Sequence, residues 1–161
     1  MTIQRPSFDE VYMDVVEVIS RRSTCLRKKV GAVVVVDRRI ISHGYNGVVS
    51  GEDHCCDTGV CLKIQAGRED FKPCMHAEQN AICLCAKRGL AVRGGTIYVN
   101  ADICVTCAKL IVSCDFSRAV VRRDYKGTSE GIDFLLRYGV QVDFWTDAND
   151  KNIAVLAPGN I

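Results

Sequence analysis

The pattern of apolar and polar positions predicts that the chain begins with a helix followed by a β-hairpin. Apolar side chains recur at helical spacing over residues 8–22, with acidic residues early, arginines late and Ser7 as the predicted N-cap. We expect the buried face to carry Val11, Val15, Val18 and Ile19. A continuous β-branched run predicts a buried strand over 30–36, and a tight turn at 37–38 leads into a second strand over 39–46. Strands joined by so short a turn must be antiparallel.

Helical and strand patterns then alternate through the rest of the chain. We predict helices over about 75–87, 104–113 and 130–137 and strands over 96–99, 118–121 and 140–145. Gly89 suits the position just after the first of these helices. A helix between two strands indicates a parallel, right-handed crossover. With the hairpin, the pattern predicts a three-layer α/β/α fold around a mixed five-stranded sheet.

Two stretches lack any clear period. Residues 47–73 are rich in glycine, charge and cysteine, which is typical of a long functional loop. Residues 146–161 have no regular pattern either. We therefore predict one domain over 1–146 and a C-terminal tail over 147–161.

Composition restricts the classes of partner. The 161 residues are enough for one domain with its own core, and 21 basic against 19 acidic residues give a net charge of +2. This balance favours neither a nucleic-acid nor a membrane partner. No signal-peptide pattern opens the chain, and no apolar run approaches the roughly 20 residues of a membrane span. We therefore expect a cytoplasmic protein whose ten cysteines are reduced and available for metal.

Two short motifs carry the strongest chemical signal. His76 and Glu78 form an H-x-E motif, and Cys104 and Cys107 form a later C-x-x-C motif, each at the start of a predicted helix. One imidazole and two thiolates suit a catalytic Zn²⁺ that keeps a fourth position open for water, with Glu78 moving protons. The alternative is a structural zinc site with Glu78 only solvated or ion-paired. H-x-E followed by C-x-x-C is typical of zinc nucleobase deaminases.

Further motifs restrict the class of zinc deaminase that the chain resembles. From about residue 15 to residue 142 the chain resembles the deoxycytidylate (dCMP) deaminases of the cytidine deaminase superfamily. The matching segments include Arg22-Ser23-Thr24-Cys25, Gly44-Tyr45-Asn46-Gly47, His54-Cys55, His76-Ala77-Glu78-Gln79-Asn80-Ala81 and Cys104-Val105-Thr106-Cys107-Ala108-Lys109. The resemblance implies zinc-dependent hydrolysis of dCMP to dUMP and ammonia, which feeds dTMP synthesis.

The same resemblance implies roles for individual residues. His76, Cys104 and Cys107 would bind zinc, and Glu78 would carry the proton. The implied substrate contacts are Ser23, Thr24 and Arg27 with the 5′-phosphate, Asn46 with the sugar, Ala77 with the pyrimidine edge, and Tyr125 near the active site. A solvated basic stretch is the alternative for 27–29, and a packed loop residue is the alternative for Tyr125.

A second, structural zinc is also implied. Its ligands would be Cys25, Cys55, Cys61 and Cys74, with His54 and Cys56 as alternatives and buried free thiols as the competing interpretation. We interpret Cys83, Cys85 and Cys114 as core residues. Family members are commonly homo-oligomers, often hexamers, that are activated by dCTP with Mg²⁺ and inhibited by dTTP. The effector site would lie near Gly44, Tyr45, Asn46 and Gly47.

Two residues depart from the family pattern, and they keep rival functions open. Ile103 stands where the family has a proline before the first zinc cysteine, and Arg122 stands where a tyrosine is usual. Arg122 could change recognition of the base or the phosphate. The rivals are deamination of 5-methyl-dCMP, 5-hydroxymethyl-dCMP, dCTP or an adenosine in tRNA, and a catalytically silent nucleotide-binding homologue. Beyond residues 27–29 no basic cluster supports the tRNA alternative.

Overall fold

A computed structural model describes residues 5–65, 73–122, 129–146 and 155–156. Its helices are α1 (Phe8–Ser20), α2 (Cys55–Thr58), α3 (Leu62–Gln65), α4 (Ala77–Arg88), α5 (Val105–Ser113) and α6 (Glu130–Arg137). Its strands are β1 (Gly31–Val36), β2 (Arg39–Tyr45), β3 (Gly47–Val48), β4 (Cys74–Met75), β5 (Thr96–Val99), β6 (Arg118–Arg122), β7 (Gln141–Trp145) and β8 (Val155–Leu156). Within these residues, no helix has the length and apolar character needed to cross a membrane.

The main sheet has the strand order β2-β1-β5-β6-β7-β8. β1 pairs antiparallel with both β2 and β5, whereas β5, β6 and β7 run parallel. These five strands confirm the predicted mixed sheet. The two-residue strand β8, which pairs antiparallel with β7, lies in the predicted tail and was not expected.

Alternate side chains of β1 enter two different cores. Ala32 and Val34 pack into the core shared with α4, α5 and α6, while Val33 and Val35 pack into the core shared with α1. A strand buried on both faces needs apolar residues at every position, which explains its continuous valine run. The predicted three-layer α/β/α fold is therefore confirmed.

The buried face of α1 agrees with the predicted one only in part, because Val15 and Ile19 pack against the core but two other predicted positions do not. Tyr12, Met13 and Val16 are buried, whereas Val11 and Val18 are 41% and 56% exposed. Both sets of positions fit a helical period, so spacing alone could not choose between them. The larger tyrosine and methionine remove more apolar surface from water than the two valines would. The Ser7 N-cap is confirmed, because its Oγ accepts a hydrogen bond from Glu10 N at 3.2 Å.

Two predicted turns are confirmed by their backbone geometry. Asp37 and Arg38 both have positive φ, 48° and 60°, as the two-residue turn of a tight hairpin requires. Gly89 ends α4 in the left-handed conformation. The prediction of one long loop over 47–73 is wrong in part, because β3, α2 and α3 lie within it and Gly47 pairs with Met75 of β4.

Candidate active site

Two helix N-termini bring the predicted zinc ligands together. His76 is the N-cap of α4 and Cys104 is the N-cap of α5, so both side chains lie where a loop enters a helix. His76 Nδ1 lies 3.4 Å from Cys104 Sγ and 3.5 Å from Cys107 Sγ. The three ligand atoms all lie within 4.8 Å of one another.

This arrangement fits a tetrahedral zinc ion. Bonds of about 2.0–2.1 Å to nitrogen and about 2.3 Å to sulfur at tetrahedral angles would place the nitrogen and sulfur atoms roughly 3.6 Å apart. The observed nitrogen–sulfur distances of 3.4 and 3.5 Å agree with that spacing. Three protein ligands are what a catalytic zinc site uses, since the fourth position then remains for water.

The two thiols of this site differ in their readiness to lose a proton. Cys107 is fully buried and its thiol hydrogen-bonds Cys104, which lowers the pKa of Cys104 to about 3. The same hydrogen bond, together with burial, raises the pKa of Cys107. Cys104 is therefore poised as a thiolate, the form that binds metal.

Glu78 lies in the first turn of α4, two residues after His76, and is only 3% exposed. Burial raises the pKa of its carboxyl group. A glutamate with a raised pKa accepts and returns a proton more readily near neutral pH than an exposed one. Its position and environment suit a proton carrier beside the metal site.

A cavity of about 480 Å³ opens onto these groups. His76, Ala77, Glu78 and Cys104 contribute to one part of its wall, and Arg27 and Lys28, on the loop before β1, contribute cationic side chains. Ala77 opens α4, where the first backbone N–H groups have no acceptor within the helix. The cavity therefore combines the metal site with groups able to bind an anion.

Asn46 also lines this cavity, and its side chain holds the basic loop. Its Oδ1 accepts a hydrogen bond from Val30 N at 2.8 Å, and its Nδ2 donates to the carbonyl oxygen of Lys28 at 2.8 Å. The side chain predicted to meet the sugar thus also fixes the backbone that carries Lys28.

Two predicted phosphate contacts are not among the residues that line the cavity. Ser23 is buried, and its Oγ donates to Asn46 O at 2.9 Å and accepts from Cys25 N at 3.2 Å. Thr24 Oγ1 is buried and has no hydrogen-bond partner among the residues that the structure describes. Ser23 therefore supports the loop, and a direct phosphate contact by either residue stays a prediction. Tyr125 lies outside the described residues.

The cysteines predicted for a second zinc do not form a ligand cluster in the described residues. Cys25 and Cys74 line the active-site cavity, and Cys55 is buried at the start of α2. In the part of the chain that the structure describes, His76, Cys104 and Cys107 form the one cluster of three potential ligands, so neither the predicted set with Cys61 nor its alternatives His54 and Cys56 join in one.

The other cysteines were interpreted as core residues. That interpretation is correct for Cys85, which is buried, and wrong for Cys83, which is exposed. Cys114 is half-buried against the core. A helical apolar run does not reveal which of its faces turns outward, and this ambiguity explains the error at Cys83.

The predicted effector segment has a packing role. Gly44 is buried, and a Cβ at this position would overlap the carbonyl oxygen of Ala77, so the glycine lets α4 approach β2 backbone to backbone. Tyr45 O accepts a hydrogen bond from Asn80 Nδ2 at 2.8 Å. With Asn46 and Gly47, these residues hold α4 and the cavity wall, and an effector role stays a prediction.

Ile103, which replaces the family proline, is fully buried in the core below the metal ligands. Helix α6 packs on the same segment so closely that a Cβ on Gly131 would overlap the carbonyl oxygen of Ile103. The backbone before Cys104 is therefore held by packing on both sides.

Arg122 does not line the cavity, which corrects the expectation that it alters base or phosphate recognition. Its Nη1 lies 2.6 Å from Glu17 Oε1 on α1. Glu17 Oε2 in turn accepts a hydrogen bond from Asn100 Nδ2 at 3.2 Å, and Asn100 Oδ1 accepts from Gly31 N at 2.8 Å. Arg122 therefore belongs to a network that ties α1 to the ends of three strands.

Asp102 was not predicted from the sequence as a site residue, and Lys28 was considered only as part of a basic stretch. Asp102 lines the cavity two residues before Cys104, and Lys28 lines it beside Arg27. The only available signal was their closeness in sequence to residues already singled out.

The chain matches known proteins over most of its length. The family model for the cytidine and deoxycytidylate deaminase zinc-binding region matches residues 6–123. ComE operon protein 2 of Bacillus subtilis is 36% identical over 141 residues, which cover 88% of this chain and 72% of that protein. The deoxycytidylate deaminase of Saccharomyces cerevisiae is 29% identical over 157 residues, 96% of this chain, and the aligned chain spans half of its length.

A solved structure agrees in both sequence and fold. The dCMP deaminase of cyanophage S-TIM5, in complex with dCMP and dUMP, is 32% identical with a TM-score of 0.75, covering 89% of this chain and all of that one. The sheet, the paired helix N-termini and the His/Cys/Cys cluster define an α/β protein of the zinc deaminase class. Within that class, the chain belongs to the dCMP deaminase family of the cytidine deaminase superfamily.

Proposed function

We propose that this protein hydrolyses dCMP to dUMP and ammonia. The observation that carries the proposal is one cavity that joins the His76, Cys104 and Cys107 cluster to Glu78 and to the cationic side chains of Arg27 and Lys28. A nucleoside monophosphate has both features that such a cavity can bind, an amino-bearing base and an anionic phosphate. A free base would leave the cations unused.

In this reaction water adds to C4 of cytosine and the bond between C4 and the exocyclic nitrogen breaks. A zinc ion held by His76, Cys104 and Cys107 would lower the pKa of water to about 7 and so supply a nucleophile at neutral pH. Glu78 would accept a proton from the water, pass it to N3 of the ring and then deliver a proton to the departing amine. Its burial keeps bulk water from competing for that proton.

The remaining groups would orient the substrate. The guanidinium of Arg27 would pair with the 5′-phosphate, for which its planar donors are well suited. The backbone N–H of Ala77 would donate to the pyrimidine edge, and Asn46 would accept from the sugar hydroxyl while it holds the basic loop. Each role is supported by the presence of the residue in the cavity wall.

The test is ammonia release from dCMP by the zinc-loaded protein, with identification of the product. We expect dUMP, and we expect Glu78→Gln to keep zinc but lose at least about 100-fold in rate. Turnover that is unchanged in Glu78→Gln would overturn the mechanism. If the zinc-loaded protein deaminates 5-methyl-dCMP, 5-hydroxymethyl-dCMP or dCTP and not dCMP, that nucleotide would replace dCMP as the proposed substrate. No turnover of any of these nucleotides would favour the silent nucleotide-binding homologue.

Several finer properties belong to the same proposal through the family resemblance. They are a homo-hexameric state, a cytoplasmic location, activation by dCTP with Mg²⁺, inhibition by dTTP, and a second zinc at Cys25, Cys55, Cys61 and Cys74. Metal analysis tests the last of these, because two zinc ions per chain should fall to one in Cys55→Ala. A single zinc ion that is unaffected by Cys55→Ala would remove the second site.

A further inference from the structure

We propose that Asp102 is a specificity residue that accepts a hydrogen bond from a donor group on the edge of the pyrimidine. This inference rests on the proposed function, since it concerns the ligand of the same cavity. It adds a hydrogen-bond acceptor for the base to the donor that the backbone N–H of Ala77 would supply.

Asp102 is a half-buried residue whose carboxylate has no partner among the described residues. Asp102 lines the cavity that holds the metal cluster and also borders a neighbouring groove of about 470 Å³. Among the described residues, its side chain makes no hydrogen bond or ion pair. Its oxygens remain accessible, so a donor on a ligand that enters the cavity can reach them. A ligand in the cavity would supply that partner.

The second observation is that the backbone on both sides of Asp102 is fixed. Asn100 is only 8% exposed and bonds on one side to Glu17 and on the other to Gly31 N. Ile103 is completely buried. Asp102 therefore cannot move far from the cavity wall, and a fixed acceptor discriminates between ligands better than a mobile one.

The negative charge of Asp102 restricts the part of the ligand that its side chain can contact. A carboxylate only accepts hydrogen bonds and repels a phosphate, which Arg27 and Lys28 would bind instead. The base of dCMP offers a donor in its 4-amino group, whereas dUMP presents a carbonyl oxygen there. The hydroxyl of the C5 substituent in 5-hydroxymethyl-dCMP is a second source of a donor. In either case Asp102 favours a ligand with a donor over its counterpart without one.

Binding measurements test this without turnover. In the zinc-loaded Glu78→Gln protein, dissociation constants would be measured for dCMP and dUMP, and for 5-hydroxymethyl-dCMP and 5-methyl-dCMP. Each would be repeated with Asp102→Asn, whose amide can donate to a carbonyl oxygen. The matched control is Glu130→Gln, because Glu130 lines the neighbouring groove but not the substrate cavity.

We expect Asp102→Asn to reduce at least one of the two affinity ratios by about fivefold or more, and Glu130→Gln to leave both unchanged. A lower dCMP/dUMP affinity ratio identifies the 4-amino group as the donor, and a lower ratio of hydroxymethyl to methyl nucleotide identifies the hydroxyl of the hydroxymethyl group. Both ratios within about twofold of the parent, or no binding of any of the four nucleotides, would overturn the inference. Failure of the proposed function is a separate result, namely zinc-loaded wild-type protein that releases no ammonia from dCMP.

Discussion

Gly44 of β2 meets the first residue of α4, Ala77, so closely that a Cβ on the glycine would overlap the alanine carbonyl oxygen and lie 2.5 Å from the nitrogen of Ala81. Both obstacles are backbone atoms and cannot rotate away. Gly44→Ala should therefore push α4 outward and move His76 and Glu78. We expect a loss of about 1–3 kcal/mol in the free energy of unfolding, measured by chemical denaturation, and lower zinc content in metal analysis.

Gly47→Ala is the matched control for that substitution. A Cβ on Gly47 would lie 2.9 Å from Thr24 Oγ1, which belongs to a side chain and can give way. This variant should keep its zinc and lose less stability than Gly44→Ala. Equal losses of stability and zinc in the two variants would show that the close approach of α4 to β2 does not determine the geometry of the metal site.

The basic loop provides a prediction about phosphate recognition. Arg27 lines the cavity, whereas its neighbour Lys29 does not. Arg27→Ala should raise KM for dCMP about tenfold or more, because it removes a charge-assisted hydrogen bond. It should leave the kinetics with deoxycytidine, which has no phosphate, unchanged. Lys29→Ala should have little effect on either substrate, and a similar rise in KM there would indicate a general charge effect.

An ion pair whose residues do not line the cavity predicts how stability depends on pH. The two terminal guanidinium nitrogens of Arg118 donate hydrogen bonds to the carboxylate of Asp9, at 2.9 and 2.7 Å, and this pairing lowers the pKa of Asp9 below its ordinary value of 3.8. The pair therefore stabilises the folded protein above pH 3.8, and this contribution is lost as the pH falls through the lower folded-state pKa.

Denaturation between pH 2 and 7, run as a series on wild type and Asp9→Asn, would measure this effect. The wild type should be the more stable at neutral pH, and the difference should shrink as the solution becomes acidic. Asp14→Asn is the control on the same helix, since Asp14 has no ion pair in the described part of the chain. A difference between wild type and Asp9→Asn that is constant across the series would contradict the prediction.

Removal of one metal ligand should affect both zinc content and folding. Cys107 is fully buried and belongs to the ligand cluster, whereas Cys83 is exposed on α4. Cys107→Ala should lose zinc and lower Tm, because binding of the metal stabilises only the folded chain. Cys83→Ala should resemble wild type in both measurements. Full zinc content in Cys107→Ala would exclude this cysteine as a ligand.

Local signals explain why most of the fold could be predicted from the sequence. The valine run of β1, the turn at Asp37 and the cap at Gly89 each depend on residues close together in the chain, and the structure confirms all three. The clustering of His76 with Cys104 was also predicted, because each lies at the start of a helix that follows a strand.

What the sequence could not supply depends on distant contacts. Arg122 bonds to Glu17, 105 positions earlier, and no local pattern announces that pairing. The burial of Tyr12 in place of Val11 depends on what packs against α1, which the helical period does not specify. Asp102 drew no attention because a single acidic residue has no motif, and its significance comes only from the cavity it borders.

The contact between Gly131 and Ile103 has a consequence for how this protein can evolve. The backbone segment that presents Cys104 packs directly against Gly131. Glycine is the smallest residue, so any substitution at position 131 would displace this backbone. Sequence changes near this contact must therefore occur in the surrounding side chains. A substitution that shifts α6 would thus move the backbone next to the metal ligands, although no residue of α6 belongs to the predicted zinc site.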